Sequence, residues 1–95
     1  MATETELVTL YHGTDAEGFL GITNAGRIEA VRMGVYLTPR RSMAAEYGTH
    51  VVQVRVDKSL LRRDFSAHEF EVEVEIDEWL RLGGSVYVAG DVAVG

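Results

Sequence analysis

The chain has 95 residues, no cysteine and one proline, with 46% apolar side chains, 25% charged side chains and a formal net charge of −6. This length fits one domain, and the apolar fraction is typical of a globular rather than a disordered protein. The lack of cysteine excludes a disulfide framework, a thiolate metal site and a cysteine nucleophile. No apolar run approaches the ~20 residues of a membrane span, and the first residues lack a signal-peptide pattern, so we expect a cytoplasmic protein without a membrane partner.

The charged residues favour a protein partner over nucleic acid. The chain has fifteen acidic and nine basic side chains, whereas proteins that bind a phosphate backbone usually present a basic stripe. The basic side chains form only two small pairs, Arg40 with Arg41 and Arg62 with Arg63.

The first third of the chain predicts a strand followed by a helix. Leu7–Tyr11 is rich in β-branched and aromatic residues, which are typical of strands. Thr14 or Asp15 can cap a helix that runs to Ala25, and Gly26 suits the position just after its end.

Two short extended segments and a second helix come next. Arg27–Ala30 and Gly34–Thr38 predict brief strands. Thr38 is an N-cap candidate, Pro39 fits the first helical position and Gly48 fits the end, so this punctuation predicts a second main helix.

The second half of the chain is dominated by two segments in which apolar and polar residues alternate. His50–Asp57 and Glu69–Ile76 both place every second residue on an apolar face, which is typical of half-buried strands. Asp77–Leu82 predicts one helical turn and Ser85–Val94 a last strand. The sequence therefore predicts an α+β domain of several short strands with two main helices.

A metal site is not expected. His12, His50 and His68 are scattered, and none lies four residues from another on one helix face. The glycine-rich loops that bind nucleotides in P-loop and Rossmann proteins are also missing.

Four positions have a residue type suited to ligand chemistry, and each also has a purely structural interpretation. His12 follows a predicted strand and precedes Gly13, where the backbone can approach a ligand closely or simply turn. Tyr36 and Tyr47 can form a slot for a flat ring, or can both be core aromatics. Glu69 opens a strand, where its carboxylate can face a cleft or the solvent.

These segments together resemble, in order and spacing, the ADP-ribosyltransferase superfamily. The branch concerned has a His–Tyr–Glu triad and includes poly(ADP-ribose) polymerases and diphtheria-toxin-like enzymes. The similar segments are Leu10–Thr14, Gly26–Ile28, Gly34–Leu37, Ala45–Tyr47 and Glu69–Val72. The resemblance implies a minimal ADP-ribosyltransferase-like domain over residues 1–95, with short antiparallel strands.

The resemblance also implies a role for each candidate residue. His12 would bond the adenosine ribose, and the Gly13 backbone would hold the nicotinamide carboxamide. Tyr36 and Tyr47 would stack on the nicotinamide ring, and Glu69 would bond the 2′-hydroxyl of its ribose. The implied NAD-binding set is His12, Gly13, Thr14, Tyr36, Ser42 and Tyr47, and the implied catalytic set is His12, Tyr36 and Glu69.

One position departs from the family pattern, and the position of the catalytic acid within that pattern has two candidates. Where many relatives have a serine that touches the carboxamide, this chain has Ala44, with Ser42 close by. Glu71 lies on the same strand face as Glu69, so either can be the catalytic acid.

The function implied is that of an NAD-dependent mono-ADP-ribosyltransferase that modifies a macromolecule, with NAD as co-substrate and no metal. The small size suggests a bacterial toxin or a phage effector, whose target would be read by the segment between Leu61 and Glu69. The alternative is a catalytically inert module on the same fold that binds NAD or a protein.

Overall fold

The fold combines antiparallel strands with helices, which confirms the α+β class. The computed structural model describes residues 6–32, 34–64 and 74–94. Within these ranges there are seven strands, three helices and one 3₁₀ turn at Lys58–Leu60. The strands are β1 (Leu7–Thr14), β2 (Arg27–Ile28), β3 (Val35–Leu37), β4 (His50–Asp57), β5 (Arg62–Arg63), β6 (Val86–Val88) and β7 (Val92–Ala93), and the helices are α1 (Ala16–Ala25), α2 (Arg41–Ala44) and α3 (Ile76–Arg81).

The longest paired unit is the antiparallel pair of β1 and β4. Its register runs without interruption from Leu7 opposite Asp57 to Thr14 opposite His50. The valines predicted to share one face of β4 are all buried, so that prediction is confirmed. They pack in one core cluster with the fully buried Leu10 of β1. The predicted strand at the start of the chain is three residues longer than expected, because β1 continues to Thr14.

Two smaller sheets complete the described fold. One has the order β3–β6–β5, and the other pairs β2 with β7. A pair of backbone hydrogen bonds joins β1 to the end of β3: the Tyr11 N–H donates to the Thr38 carbonyl at 2.8 Å, and the Thr38 N–H donates to the Tyr11 carbonyl at 2.9 Å.

Helix α1 confirms its sequence prediction in detail. The Asp15 carboxylate accepts a hydrogen bond from the Gly18 N–H at 2.7 Å, which is the expected N-cap. Gly26 has a φ of 73° and donates its N–H to the Ile22 carbonyl, which is the expected left-handed C-terminal cap.

The second helix is much shorter than predicted. The backbone N–H and carbonyl of Thr38 are both hydrogen-bonded to Tyr11. Thr38 is therefore a sheet residue, and its carbonyl is not available for the first bond of a helix. Its hydroxyl instead accepts a bond from the Arg40 N–H at 3.4 Å, and α2 begins only at Arg41. The prediction that Pro39 starts this helix is therefore wrong, and so is its extension to Gly48.

The last third of the chain also departs from the predicted pattern. Most of the strand predicted over 69–76 lies outside the described residues, but Ile76 is the first residue of α3 (Ile76–Arg81). This helix buries Trp79 and confirms the helical turn predicted over 77–82. The expected two main helices are therefore one long helix, α1, and two short ones in the described part of the chain. The strand predicted over 85–94 is two strands in different sheets. Arg62 and Arg63, in the segment expected to read the target, form the short strand β5.

No helix in the described ranges has the length and apolar character needed to cross a bilayer.

Lys58 is the only lysine of the chain. From the end of β4 it forms ion pairs with a residue just before β1 and with a residue of α3. Its Nζ lies 2.8 Å from a carboxylate oxygen of Glu6, just before β1, and 3.1 Å from one of Asp77 in α3. The hydrogen bond to Glu6, followed by that to Asp77, raises the pKa of Lys58 above its ordinary value of 10.5.

This raised pKa predicts a loss of stability in alkaline solution. A raised folded-state pKa means that the stabilisation is fully present below the unfolded value of 10.5 and is lost as the pH rises through the folded-state value. Lys58→Arg should keep the ion pairs with a group that stays charged in this range. We therefore expect a flatter decline in urea midpoint for Lys58→Arg than for the parent chain between about pH 9 and pH 12. Identical pH profiles would show that the ion pairs contribute nothing.

Candidate functional site

A cleft of about 290 Å³ opens where the end of β1, strand β3 and the turn after α2 meet. This volume is at the low end of the ~300–1,000 Å³ typical of small-molecule sites, so it suits one ring with its attached groups rather than a large ligand. The described residues that line it are His12, Gly13, Tyr36, Leu37, Thr38, Ala44, Tyr47, Asp64 and Ser85.

The bridge between Tyr11 and Thr38 places one backbone edge of β1 at this cleft. Backbone polar groups along an antiparallel strand alternate between its two edges. Gly13 follows Tyr11 by two positions. Its N–H and carbonyl therefore point to the same edge of β1 as those of Tyr11, the edge that faces away from β4. Because Gly13 lines the cleft, a donor and an acceptor of the main chain lie side by side at the cleft wall.

His12 contacts β3 directly. Its Nδ1 lies 3.0 Å from the Tyr36 carbonyl oxygen, 24 positions along the chain. A carbonyl oxygen only accepts, so Nδ1 carries the proton in this bond. Nε2 of the neutral ring is then an acceptor, and this bond holds the imidazole in one orientation.

The two tyrosines of the cleft are not core residues. In β3 the side chains alternate, with Val35 and Leu37 buried and Tyr36 40% exposed. The Tyr36 ring is supported by that of Tyr87 across the β3–β6 pair, with centroids 5.7 Å apart and a tilt of 39°. Tyr47 is 72% exposed. The core interpretation of these aromatics is wrong, and both present ring surface at the cleft.

The position of Tyr47 depends on how closely α2 approaches β1. A Cβ added to Gly13 would lie 1.8 Å from the Ala44 carbonyl oxygen and 3.2 Å from the Tyr47 Cβ. Only glycine allows this approach. The guanidinium of Arg41 also lies 5.1 Å from the centroid of the Tyr11 ring, a cation–π contact that holds the start of α2 against the same strand.

The structure brings four of the predicted site residues to the cleft: His12, Gly13, Tyr36 and Tyr47. Thr14 and Ser42 do not line it. Thr14 lies between β1 and α1, and a Cβ added to Gly18 would lie 2.1 Å from its hydroxyl oxygen. Ser42 is exposed on α2. Glu69 and the alternative acid Glu71 lie outside the described residues.

Asp64 and Ser85 are cleft residues for which the sequence provided no ligand-binding pattern. The sequence places Asp64 in the segment expected to read the target, and Ser85 at the start of the last predicted strand. They meet because the Asp64 N–H donates to the Ser85 carbonyl at 2.9 Å, next to the pairing of β5 with β6. A contact between two such distant segments depends on sheet pairing rather than on a local motif.

Metal-ligating side chains do not gather in the described ranges: no group of three or more His, Cys, Asp or Glu residues is close enough there to hold an ion.

A scan of protein-family models and searches of curated proteins and of solved structures found no match to this chain.

The close approach of α2 predicts opposite effects of alanine at two glycines. Gly13→Ala should lower the free energy of unfolding by about 1–3 kcal/mol, because the added methyl group collides with the Ala44 carbonyl. Gly21→Ala is the matched control: it lies in α1 with no atom within 4 Å of its added Cβ, and should stabilise by up to ~1 kcal/mol. Urea unfolding followed by circular dichroism measures both. Equal stability of Gly13→Ala and the parent chain would contradict the packing described here.

Proposed function

We propose that this protein is an NAD⁺-dependent mono-ADP-ribosyltransferase that cleaves NAD⁺ and transfers ADP-ribose to a macromolecular target, with protein favoured over nucleic acid. The observation that carries the proposal is the hydrogen bond from His12 Nδ1 to the Tyr36 carbonyl within one cleft. The resemblance in sequence assigned these two residues to one substrate on independent grounds. Their contact, with Gly13 and Tyr47 at the same cleft, supports that assignment.

In this proposal the nicotinamide end of NAD⁺ enters the cleft. Tyr36 and Tyr47 offer exposed ring faces on which a flat heteroaromatic ring can stack. A primary carboxamide needs one acceptor and one donor side by side, and the carbonyl and N–H of Gly13 meet that need on the same strand edge. Stacking and a paired amide contact together would set the orientation of the leaving ring.

His12 would bind a sugar hydroxyl. Its Nδ1–H is used by Tyr36, which leaves Nε2 as an acceptor suited to a ribose O–H. The bond to Tyr36 fixes the direction of this acceptor before the substrate arrives.

The reaction would break the bond between the ribose anomeric carbon and the ring nitrogen. The bonding electron pair leaves with the nitrogen, so nicotinamide departs neutral and positive charge develops on the ribose. A nucleophile of the target then attacks the anomeric carbon and loses its proton to solvent or a base. As in glycoside cleavage, a carboxylate stabilises the oxocarbenium-like charge, and the resemblance assigns this role to Glu69.

Release of nicotinamide distinguishes the proposed enzyme from the alternative, an inert binding module. An inert module on the same fold would bind NAD⁺ or a partner protein without releasing nicotinamide. Incubation of the purified chain with NAD⁺ and a bacterial lysate, followed by mass spectrometry, tests for both free nicotinamide and proteins carrying a single ADP-ribose. Binding of NAD⁺ without either product would favour the inert module, and an absence of NAD⁺ binding would overturn the proposal.

The proposed stacking predicts weaker NAD⁺ binding by Tyr36→Ala. The variant loses a ring face worth on the order of 1 kcal/mol, so we expect the Kd to rise about fivefold or more in calorimetric titration. Leu20→Ala is the control: this residue of α1 is 61% exposed and does not line the cleft, so the variant should bind NAD⁺ as the parent chain does. An unchanged Kd for a folded Tyr36→Ala would remove Tyr36 from the site.

The proposed chemistry predicts different effects for glutamine at the two candidate acids. Glutamine keeps the size of the side chain and a hydrogen-bond acceptor, but it cannot stabilise a developing positive charge. Glu69→Gln should retain NAD⁺ binding and lose about 10²–10³-fold in turnover, whereas Glu71→Gln should lose less. Initial rates of nicotinamide release by both variants check this. A larger loss in Glu71→Gln would move the catalytic role by two residues, and parent rates in both would contradict the mechanism.

A further inference from the structure

The side of the β1–β4 pair that faces away from the core carries an exposed polar surface. Directly opposed residues of an antiparallel pair share one face, and the register pairs Thr9 with Arg55 and Tyr11 with Gln53. Thr9, Gln53 and Arg55 are exposed, whereas the residues that alternate with them in the two strands pack in the core cluster. We call the surface formed by these four residues the outer face.

Arg41, the first residue of α2, adds a second positive charge to the outer face. Its guanidinium carbon lies 5.1 Å from the centroid of the Tyr11 ring, and this cation–π contact holds the group over the face. Arg41 and Arg55 are both exposed. Asp57 follows Arg55 by two positions, but its carboxylate accepts hydrogen bonds from the N–H and hydroxyl of Ser59. In the described part of the chain, neither arginine has a carboxylate within ion-pair distance.

The two guanidinium groups have the spacing of alternate residues in an extended peptide. Arg55 lies opposite Thr9, and Arg41 lies over Tyr11, two positions further along β1. Two positions of a strand span about 7 Å, which is also the separation of alternate side chains on one face of any extended chain. A peptide that lies along β1 can therefore bring one carboxylate to each arginine.

The outer face leads directly to the cleft. Gly13 follows Tyr11 by two positions, so it lies on the same face of β1, and it lines the cleft together with Tyr47, just after α2. A peptide residue at the cleft would then lie about two positions from the residue that meets Arg41 and about four from the one that meets Arg55.

We propose that the outer face docks an extended acidic segment of a protein, whose carboxylates pair with Arg41 and Arg55. The inference rests on the proposed function in that this protein would be the target of modification. It specifies what the target presents: acidic residues about two and four positions to one side of the modified residue. Guanidinium groups can hold such carboxylates through two parallel hydrogen bonds each.

The charge of the whole chain favours a short acidic segment over a nucleic acid. The net charge of −6 acts weakly on a few docked carboxylates, because charges more than about 8 Å away are largely screened at physiological ionic strength. A nucleic acid carries a charge on every phosphate along its length. It would therefore extend past the two arginines over a chain in which acidic residues are in excess.

The test measures binding of a labelled peptide in the absence of NAD⁺. A peptide in which glutamate alternates with threonine places its carboxylates on one side of an extended chain, and the same peptide with glutamine is the uncharged control. Both are titrated by fluorescence anisotropy against the parent chain, Arg55→Gln and Arg62→Gln. Arg62 is the matched control, because it is also an exposed strand arginine but belongs to β5 in another sheet.

We expect the parent chain and Arg62→Gln to prefer the glutamate peptide, and Arg55→Gln to bind it about threefold more weakly through loss of an exposed ion pair. Gln53→Glu, which places a carboxylate between the two arginines, should weaken binding by a similar factor. Equal binding of the two peptides by the parent chain, or parent affinity in folded Arg55→Gln, overturns the inference. Tighter binding of labelled oligothymidylate than of the glutamate peptide would assign the face to nucleic acid and overturn it as well.

Modification of proteins in a lysate distinguishes failure of the inference from failure of the proposed function. Arg55 does not line the cleft, so Arg55→Gln should release nicotinamide at the parent rate. If the modified residues have acidic neighbours at the stated positions and Arg55→Gln modifies them more slowly, both stand. If Arg55→Gln modifies the same residues at the parent rate, the inference fails and the function stands. If the glutamate peptide binds as expected but NAD⁺ is not cleaved, the proposed function fails and the docking face stands.

Discussion

The described fold depends on the two backbone hydrogen bonds between Tyr11 and Thr38. They measure 2.8 and 2.9 Å and join the β1–β4 pair to the sheet that contains β3. Each is worth only about 0.5–1.5 kcal/mol net, but they decide which residues come next to one another. They hold Thr38 in an extended conformation, which delays the start of α2. They also bring the end of β1 beside Tyr36, where His12 reaches the Tyr36 carbonyl.

The cleft that results is assembled from main chain as much as from side chains. The Tyr36 carbonyl orients the His12 ring, and the Ser85 carbonyl accepts bonds from both Asp64 and Trp79. The Gly13 backbone groups lie on the same edge of β1 as the bridge to Thr38. Main-chain groups are fixed by strand pairing and lose little conformational freedom when a ligand binds. Strand pairing in the described part of the chain can in this way preorganise a small site.

The sequence predicted an element well wherever its signal was local. Helix α1 carries its own cap and its own terminating Gly26, and β4 carries its own alternation, so both were predicted with accurate bounds. The prediction of α2 failed for the converse reason. Thr38 and Pro39 are a good helix start in isolation, but the Thr38 N–H and carbonyl are taken by Tyr11, a residue far away in the chain. Local propensity is weak compared with a completed sheet bridge.

Periodicity, caps and motifs are properties of neighbouring residues, so the α+β class, helix α1 and the inward face of β4 could be predicted without the structure. The same holds for the choice of candidate residues: His12, Gly13, Tyr36 and Tyr47. Which of these candidates share a cleft follows from the tertiary contacts. These contacts exclude Thr14 and Ser42 from the lining and add Asp64 and Ser85. The physical reason is that alternation along a strand sets which way a side chain points, whereas the segment it meets there is chosen by hydrogen bonding and packing between distant parts of the chain.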